Sequence, residues 1–202
     1  MSVQAAGVTV SFGGVTVLDG VDLDAPAGTI TGVTGASGSG KTTLLRVLAG
    51  LQVPDRGTVR HGGSPLAPAG SIALLAQHPR LVCNPRWTLR RIIAEPAAIR
   101  GEPDTAEVLA ERVGLDPSLL QRYPGQVSDG QLQRACLARV LGQSASTVLC
   151  DEPTAMLDPI ASASVLRLLR EIASGGAVVL VVSHDPELIA ALADRQLSLS
   201  RG

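Results

Sequence analysis

Gly35-Ala36-Ser37-Gly38-Ser39-Gly40-Lys41-Thr42 decides how this chain is read. The stretch fits G-x-x-x-x-G-K-[ST], a loop whose backbone wraps phosphate groups. The apolar run Thr29-Ile30-Thr31-Gly32-Val33-Thr34 before it reads as a strand. Thr42-Thr43-Leu44-Leu45-Arg46-Val47-Leu48-Ala49 after it reads as a helix. That order separates the motif from a glycine-serine linker that happens to hold a lysine. The glycines let the backbone turn its N–H groups inward as an anion nest. The helix N-terminus adds partial positive charge. Lys41 can reach β- and γ-phosphates, and Thr42 can offer its hydroxyl to Mg²⁺.

Composition narrows the rest. The 202 residues suit one domain, or a core with a small subdomain. Hydrophobic residues make up 45%, yet aromatics only 1%, namely Phe12, Trp87 and Tyr123. The core must therefore be built from Val, Leu, Ile and Ala. A net charge of -1 gives no broad nucleic-acid footprint. No apolar run approaches the roughly 20 residues of a membrane span, and the N-terminus lacks a signal-peptide pattern. A soluble, cytoplasmic chain is expected, held at a membrane only through a partner. Cys83, Cys136 and Cys150 are scattered, without C-x-x-C spacing, so neither a disulfide framework nor a structural metal is expected. Cys150 ends an apolar run and reads as a small core residue.

The first third reads as short strands and turns: Val8–Phe12, Val15–Leu18 and Val21–Leu23, then Thr58–Arg60 after the turn at 54–57. Ser71–Ala76 is a buried strand. From Pro79 to about Gln133 the apolar spacing becomes helical, as in Leu89, Ile92 and Ile93 and then Val108, Leu109 and Val113. This stretch reads as an inserted helical subdomain. Alternation then resumes with a strand at Thr147–Cys150, a helix at Ile160–Ala173, a strand at Ala177–Val182 and a helix near Pro186. Strands alternating with helices imply an α/β fold with a parallel sheet.

Asp151 and Glu152 directly follow the Thr147–Cys150 strand, where open α/β sheets place their ligands. Asp151 can bind Mg²⁺ directly or through water, and Glu152 can orient and polarise the attacking water.

With these residues in view, the chain resembles the nucleotide-binding subunit of ABC transporters over essentially its whole length. Six motifs occur in the family's order. The phosphate loop comes first, and Gln77 after the Ser71–Ala76 strand is similar to the Q-loop glutamine. Val127-Ser128-Asp129-Gly130-Gln131 resembles the signature LSGGQ. Val148–Thr154 resembles the Walker B segment and Ala155-Met156-Leu157-Asp158 the D-loop. Ser183-His184-Asp185 carries the H-loop histidine. The resemblance implies a P-loop NTPase (RecA-like) core with an N-terminal antiparallel β-subdomain. Residues 1–78 and 134–202 would form that nucleotide-binding core, and 79–133 the helical subdomain.

The resemblance also implies ATP and Mg²⁺ as cofactors. Gly35, Ser37, Gly38, Ser39, Gly40, Lys41, Thr42 and Thr43 would hold nucleotide. Phe12 would stack on the base, although as the only Phe it could equally be core. Thr42, Gln77 and Asp151 would meet the metal. Glu152, His184 and Gln77 would serve hydrolysis. Ser128, Gly130 and Gln131 would face the ATP of a second subunit. S-x-x-Q is also a helix capping box, so Ser128 can simply start a helix over Gln131–Leu141. Capping does not account for Gly130, which costs helix stability.

Val127 and Asp129 depart from the signature. Val127 is a mild apolar change. Asp129 places a carboxylate near a polyanion, so a weakened composite site is expected.

Asn84–Leu89, Ile92–Pro96, Tyr123-Pro124 and Met156–Ile160 are similar to the peptide and nickel importer branch. Two cassettes, identical or different, would sandwich two ATPs and drive membrane permease subunits fed by an extracytoplasmic binding protein. The chain would sit on the inner face of the membrane and touch no nucleic acid. Pro79–Glu95 would be the docking surface, with Trp87 either its anchor or core. The chain ends soon after His184, without the C-terminal extension of many peptide-importer ATPases. A weakly hydrolysing regulatory subunit and an exporter ATPase are the competing readings.

Overall fold

The computed structural model describes residues 2–199, in two sheets with α-helices around them. β1 (Ser2–Phe12) pairs antiparallel with β2 (Val15–Pro26) and with β4 (Arg56–His61). Bulges in β1 at Ala5/Val8 and Val8/Val10 keep two long strands paired where the sequence suggested shorter pieces.

The second sheet has the order β5-β6-β7-β3-β8 and is parallel throughout. Its strands are β3 (Ile30–Gly35), β5 (Ile72–Leu75), β6 (Thr147–Asp151), β7 (Val178–Val182) and β8 (Arg195–Leu199). Strand β8 lies beyond the elements expected from sequence. β7 is the sheet's centre, and its five residues are buried on both faces. Val178, Leu180 and Val182 join the core that faces β1 and β2. Val179 and Val181 join the core under the helices. One strand thus feeds both cores through its period of two.

The helices are α1 (Lys41–Leu48), α2 (Pro79–Val82), α3 (Leu89–Arg100), α4 (Ala106–Arg112), α5 (Asp129–Gln143), α6 (Pro159–Ser174) and α7 (Pro186–Leu192). α1 packs Leu44, Leu45, Val47 and Leu48 against the β1/β2 side. The segment between β5 and β6 is helical, as its apolar spacing predicts. Residues 133 and 134, where the sequence suggested a boundary, fall inside α5.

Several helix starts are written in the sequence. Thr88 accepts a hydrogen bond from the Arg91 N–H to open α3, and Asp158 accepts one from Ala161 with Pro159 next in line. Ser128 caps α5 as its S-x-x-Q pattern suggests, and the helix begins at Asp129, two residues before the expected Gln131. Among the described residues no helix is long and apolar enough to cross a membrane.

Candidate functional site

The C-terminal ends of β3, β5, β6 and β7 meet at one cleft. Ser37, Gly38, Gly40, Lys41, Thr42, Thr43, Gln77, Asp151, Glu152 and His184 line it, with Val17 from β2. Residues from four separated segments converge because adjacent parallel strands end on the same edge of the sheet.

The loop from Gly35 to Gly40 is shaped by close approaches. Gly40 has φ +88, and a Cβ there would stand 2.6 Å from Leu18 Cδ2 and 2.7 Å from the Val17 carbonyl oxygen. Glycine is therefore required twice, for conformation and for space. A Cβ on Gly35 would meet Ser39 Oγ at 2.4 Å. Gly40 opens α1 with no side-chain cap, so the first N–H groups of the helix are left for another acceptor. Lys41 Nζ donates to the Gly35 and Ala36 carbonyls at 2.7 and 3.0 Å, which folds the ammonium across the loop. Buried Ser39 Oγ has no hydrogen-bond partner. These features fit an anionic phosphate group: a ring of donors, a cation, and a backbone that a side chain would block.

Thr42 Oγ1 donates to Asp151 Oδ2 at 2.7 Å, joining the loop to the end of β6. Burial raises the Asp151 carboxyl above the usual carboxylate range, and the Thr42 hydrogen bond opposes that shift. A hydroxyl beside a carboxylate is an oxygen set suited to Mg²⁺.

Glu152 follows with φ +50, a left-handed backbone rare for such a residue. Its N–H donates to the Val182 carbonyl. The carboxylate accepts from Ser183 Oγ at 3.1 Å and from the His184 N–H at 2.8 Å, and it lies 2.8 Å from His184 Nδ1. The His184 side chain is otherwise 70% exposed. Strain of this kind persists where the surroundings hold a functional group in place.

Other expected residues lie apart from the cleft. Phe12 ends β1 at the hairpin tip and is 49% exposed, so it is not core; it does not line the cleft, whereas Val17 of the same hairpin does. Ser128, Gly130 and Gln131 open α5 outside the cleft. Ser128 and Gln131 form a reciprocal capping box, with Gln131 N–H on Ser128 Oγ at 3.1 Å and Ser128 N–H on Gln131 Oε1 at 2.9 Å. Gly130 has a packing reason of its own, since a Cβ there would stand 3.0 Å from the Met156 carbonyl oxygen.

Asp129 is not an isolated carboxylate, because Arg80 of α2 forms an ion pair with it. Arg80 is a residue that sequence reasoning missed, since nothing in a local pattern names a partner 49 residues away. Trp87 is partly buried against the helical core, with Arg91 Cζ 4.2 Å from its ring centroid.

The family model described as ABC transporter matches residues 18–155. The chain belongs to the ABC transporter family. It is similar to an Fe(3+) ions import ATP-binding protein, FbpC 2, of Rhodococcus jostii, at 37% identity over 215 residues. That match covers the whole chain but 60% of the relative, so the cassette spans less than two thirds of that protein. It is 34% identical over 224 residues to the octopine permease ATP-binding protein P of Rhizobium radiobacter, covering the whole chain and 85% of the relative. Among solved structures, a dimeric post-hydrolysis state of the ATP-binding cassette MJ0796 bound to ADP and Pi superposes with a TM-score of 0.87. That alignment has 25% identity and covers 98% of this chain and 94% of the other. The chain is thus an ATP-binding, ATP-hydrolysing cassette on a mixed α/β fold, with a P-loop sheet and an antiparallel N-terminal sheet.

Proposed function

We propose that this cassette powers a membrane importer by binding and hydrolysing ATP between two cassettes. The observation that carries the reading is a division of the motifs. Phosphate loop, Gln77, Asp151, Glu152 and His184 surround one cleft, whereas Ser128, Gly130 and Gln131 lie outside it. A site split in this way is completed by a second cassette, either a copy of this chain or a different one. The dimeric MJ0796 structure supports this arrangement.

In the proposed site the loop N–H groups, Lys41 and Thr43 hold the phosphates, and Phe12 at the exposed hairpin tip meets the base. Thr42, Asp151 and Gln77 would hold Mg²⁺, which would supply neutralisation of phosphate charge. The Glu152 carboxylate accepts a proton from the attacking water. His184, held in place through its Nδ1 contact to Glu152, meets the γ-phosphate side. Ser128 and Gly130 of the other cassette present a helix N-terminus to the γ-phosphate.

The exposed apolar residues Leu51, Leu81 and Val82 border a second cleft, into which Gln77 and Asp151 also reach. This patch lies within and beside the expected 79–95 docking surface and suits a permease segment. Motion there would reach the nucleotide cleft through Gln77. The cassette would then sit on the inner face of the membrane, with a binding protein on the other side.

The relatives support import, and their names carry Fe(3+) ions and octopine rather than peptides or nickel. The peptide and nickel reading therefore rests on residues 84–96, 123–124 and 156–160 alone. An unpaired Asp129 carboxylate would favour a weakly hydrolysing regulatory subunit; its pairing with Arg80 favours the catalytic reading instead.

Purification of the tagged chain from its native membrane tests the assignment. A permease and a second cassette are expected to come with it. Nucleic acid in their place, or a lone monomer that binds no membrane protein, would contradict it.

A further inference from the structure

Cys83 and Cys136 lie 53 residues apart in sequence, yet their Sγ atoms stand 3.3 Å apart. Cys83 ends α2, with its N–H on the Pro79 carbonyl at 3.0 Å, and Cys136 is buried on α5. The two thiols bridge the short helix after Gln77 to the helix that opens at the signature. We propose that Cys83 and Cys136 are an oxidisable dithiol that closes reversibly into an intrachain disulfide under peroxide, pinning α2 to α5.

The chemistry is set by asymmetry between the two sulfurs. Cys83 is partly exposed, and its thiol is held below its ordinary pKa by the Cys136 hydrogen bond, with Arg139 assisting against burial and Glu95. Arg139 belongs to α5 and forms an ion pair with Glu95 of α3. Cys136 is held above its ordinary value by that same contact and by burial, so it keeps its proton. Cys83 is therefore the attacking thiolate. Its sulfur attacks hydrogen peroxide, breaking the O–O bond and forming a sulfenic acid and hydroxide, which takes up the proton that the thiol released and leaves as water. Cys136 sulfur then displaces the sulfenic hydroxyl, and its proton leaves with that oxygen as a second water. Two thiols are oxidised by two electrons and one peroxide is reduced to two waters. The third cysteine takes no part, because burial pushes the Cys150 thiol up to about 12.

Closing the bond brings the sulfurs from 3.3 Å to about 2.05 Å. A disulfide here fixes the segment that carries Gln77 to the signature helix. Its effect on turnover rests on the proposed function, in which that segment responds to the permease.

The test treats the purified protein with hydrogen peroxide and reads intact mass, peptide linkage and ATP hydrolysis. The expected result is loss of two hydrogens, a linked Cys83–Cys136 peptide pair, and a several-fold fall in ATPase rate that dithiothreitol restores. Cys83→Ser should show the same rate with and without peroxide. Independent oxidation of the two sulfurs, or a linked protein whose rate is unchanged, overturns the inference. A reduced protein with no hydrolysis would overturn the proposed function instead, and the mass readout would still decide the dithiol.

Discussion

Arg80 commits its guanidinium to the residues just ahead of α5 and to its first residue. Nε donates to Asp129 Oδ1 at 2.5 Å, Nη1 to the Pro124 carbonyl at 2.8 Å and Nη2 to the Val127 carbonyl at 2.9 Å. The carboxylate that departs from the family signature thus comes with its own cation. Two backbone bonds fix the guanidinium, which makes the pair more than a loose surface contact.

This pairing predicts coupled effects. Arg80→Ala should lower ATPase activity in the wild-type background, because it frees both the Asp129 charge and the signature backbone. Asp129→Gly should leave activity unchanged or raise it. In the double variant the Arg80 effect should shrink, with a coupling of about 0.5–1 kcal/mol. Strictly additive rates, or a large loss in Asp129→Gly alone, would refute the pairing's role.

Gly40→Ala should abolish nucleotide binding and cost the fold about 1–3 kcal/mol, since the new methyl meets Leu18 and Val17 in a left-handed backbone. Gly38 also has a positive φ, but a Cβ there meets nothing within 4 Å. Gly38→Ala should cost the fold less. Thermal unfolding and nucleotide titration compare the two, and equal losses would contradict the packing account.

Asp151 should confer a pH dependence. Its folded carboxyl titrates above the ordinary range, so lowering the pH protonates it earlier than an exposed Asp. A protonated carboxyl is a poor Mg²⁺ ligand. Mg²⁺-dependent ATP affinity should therefore fall as pH drops through that raised value. The same shift means the apo fold bears a cost above that pH and gains stability below it. Asp151→Asn should remove this pH step, weaken Mg²⁺-dependent binding and raise the apo Tm at neutral pH. A variant with the wild-type pH profile would contradict the assignment.

Local chemistry made much of this molecule legible. The phosphate loop carries its meaning in consecutive residues, and the strand ends at Asp151 and Ser183 follow apolar runs that few other structures accommodate. The cap at Ser128 is likewise local. Strand β8 was missed because Arg195-Gln196-Leu197-Ser198-Leu199 is short and mixed, and it pairs with β3 only once the sheet exists. Arg80 and the Cys83–Cys136 contact were missed because each joins segments about 50 residues apart. Spacing rules see neighbours in sequence, and these partners are neighbours only after α2 packs on α5. Gly130 shows the same limit, because its reason lies in the Met156 carbonyl of a separate loop.

The most direct test of the account is steady-state ATP hydrolysis by the cassette with its co-purified partners, compared with Glu152→Gln. The Glu152 carboxylate is the group expected to take the proton from water, and glutamine keeps its shape without that capacity. The account predicts that Glu152→Gln binds ATP normally and loses about 10²–10⁴-fold in rate. A variant that hydrolyses ATP at the wild-type rate, or a wild-type complex that binds ATP without turning it over, would contradict it.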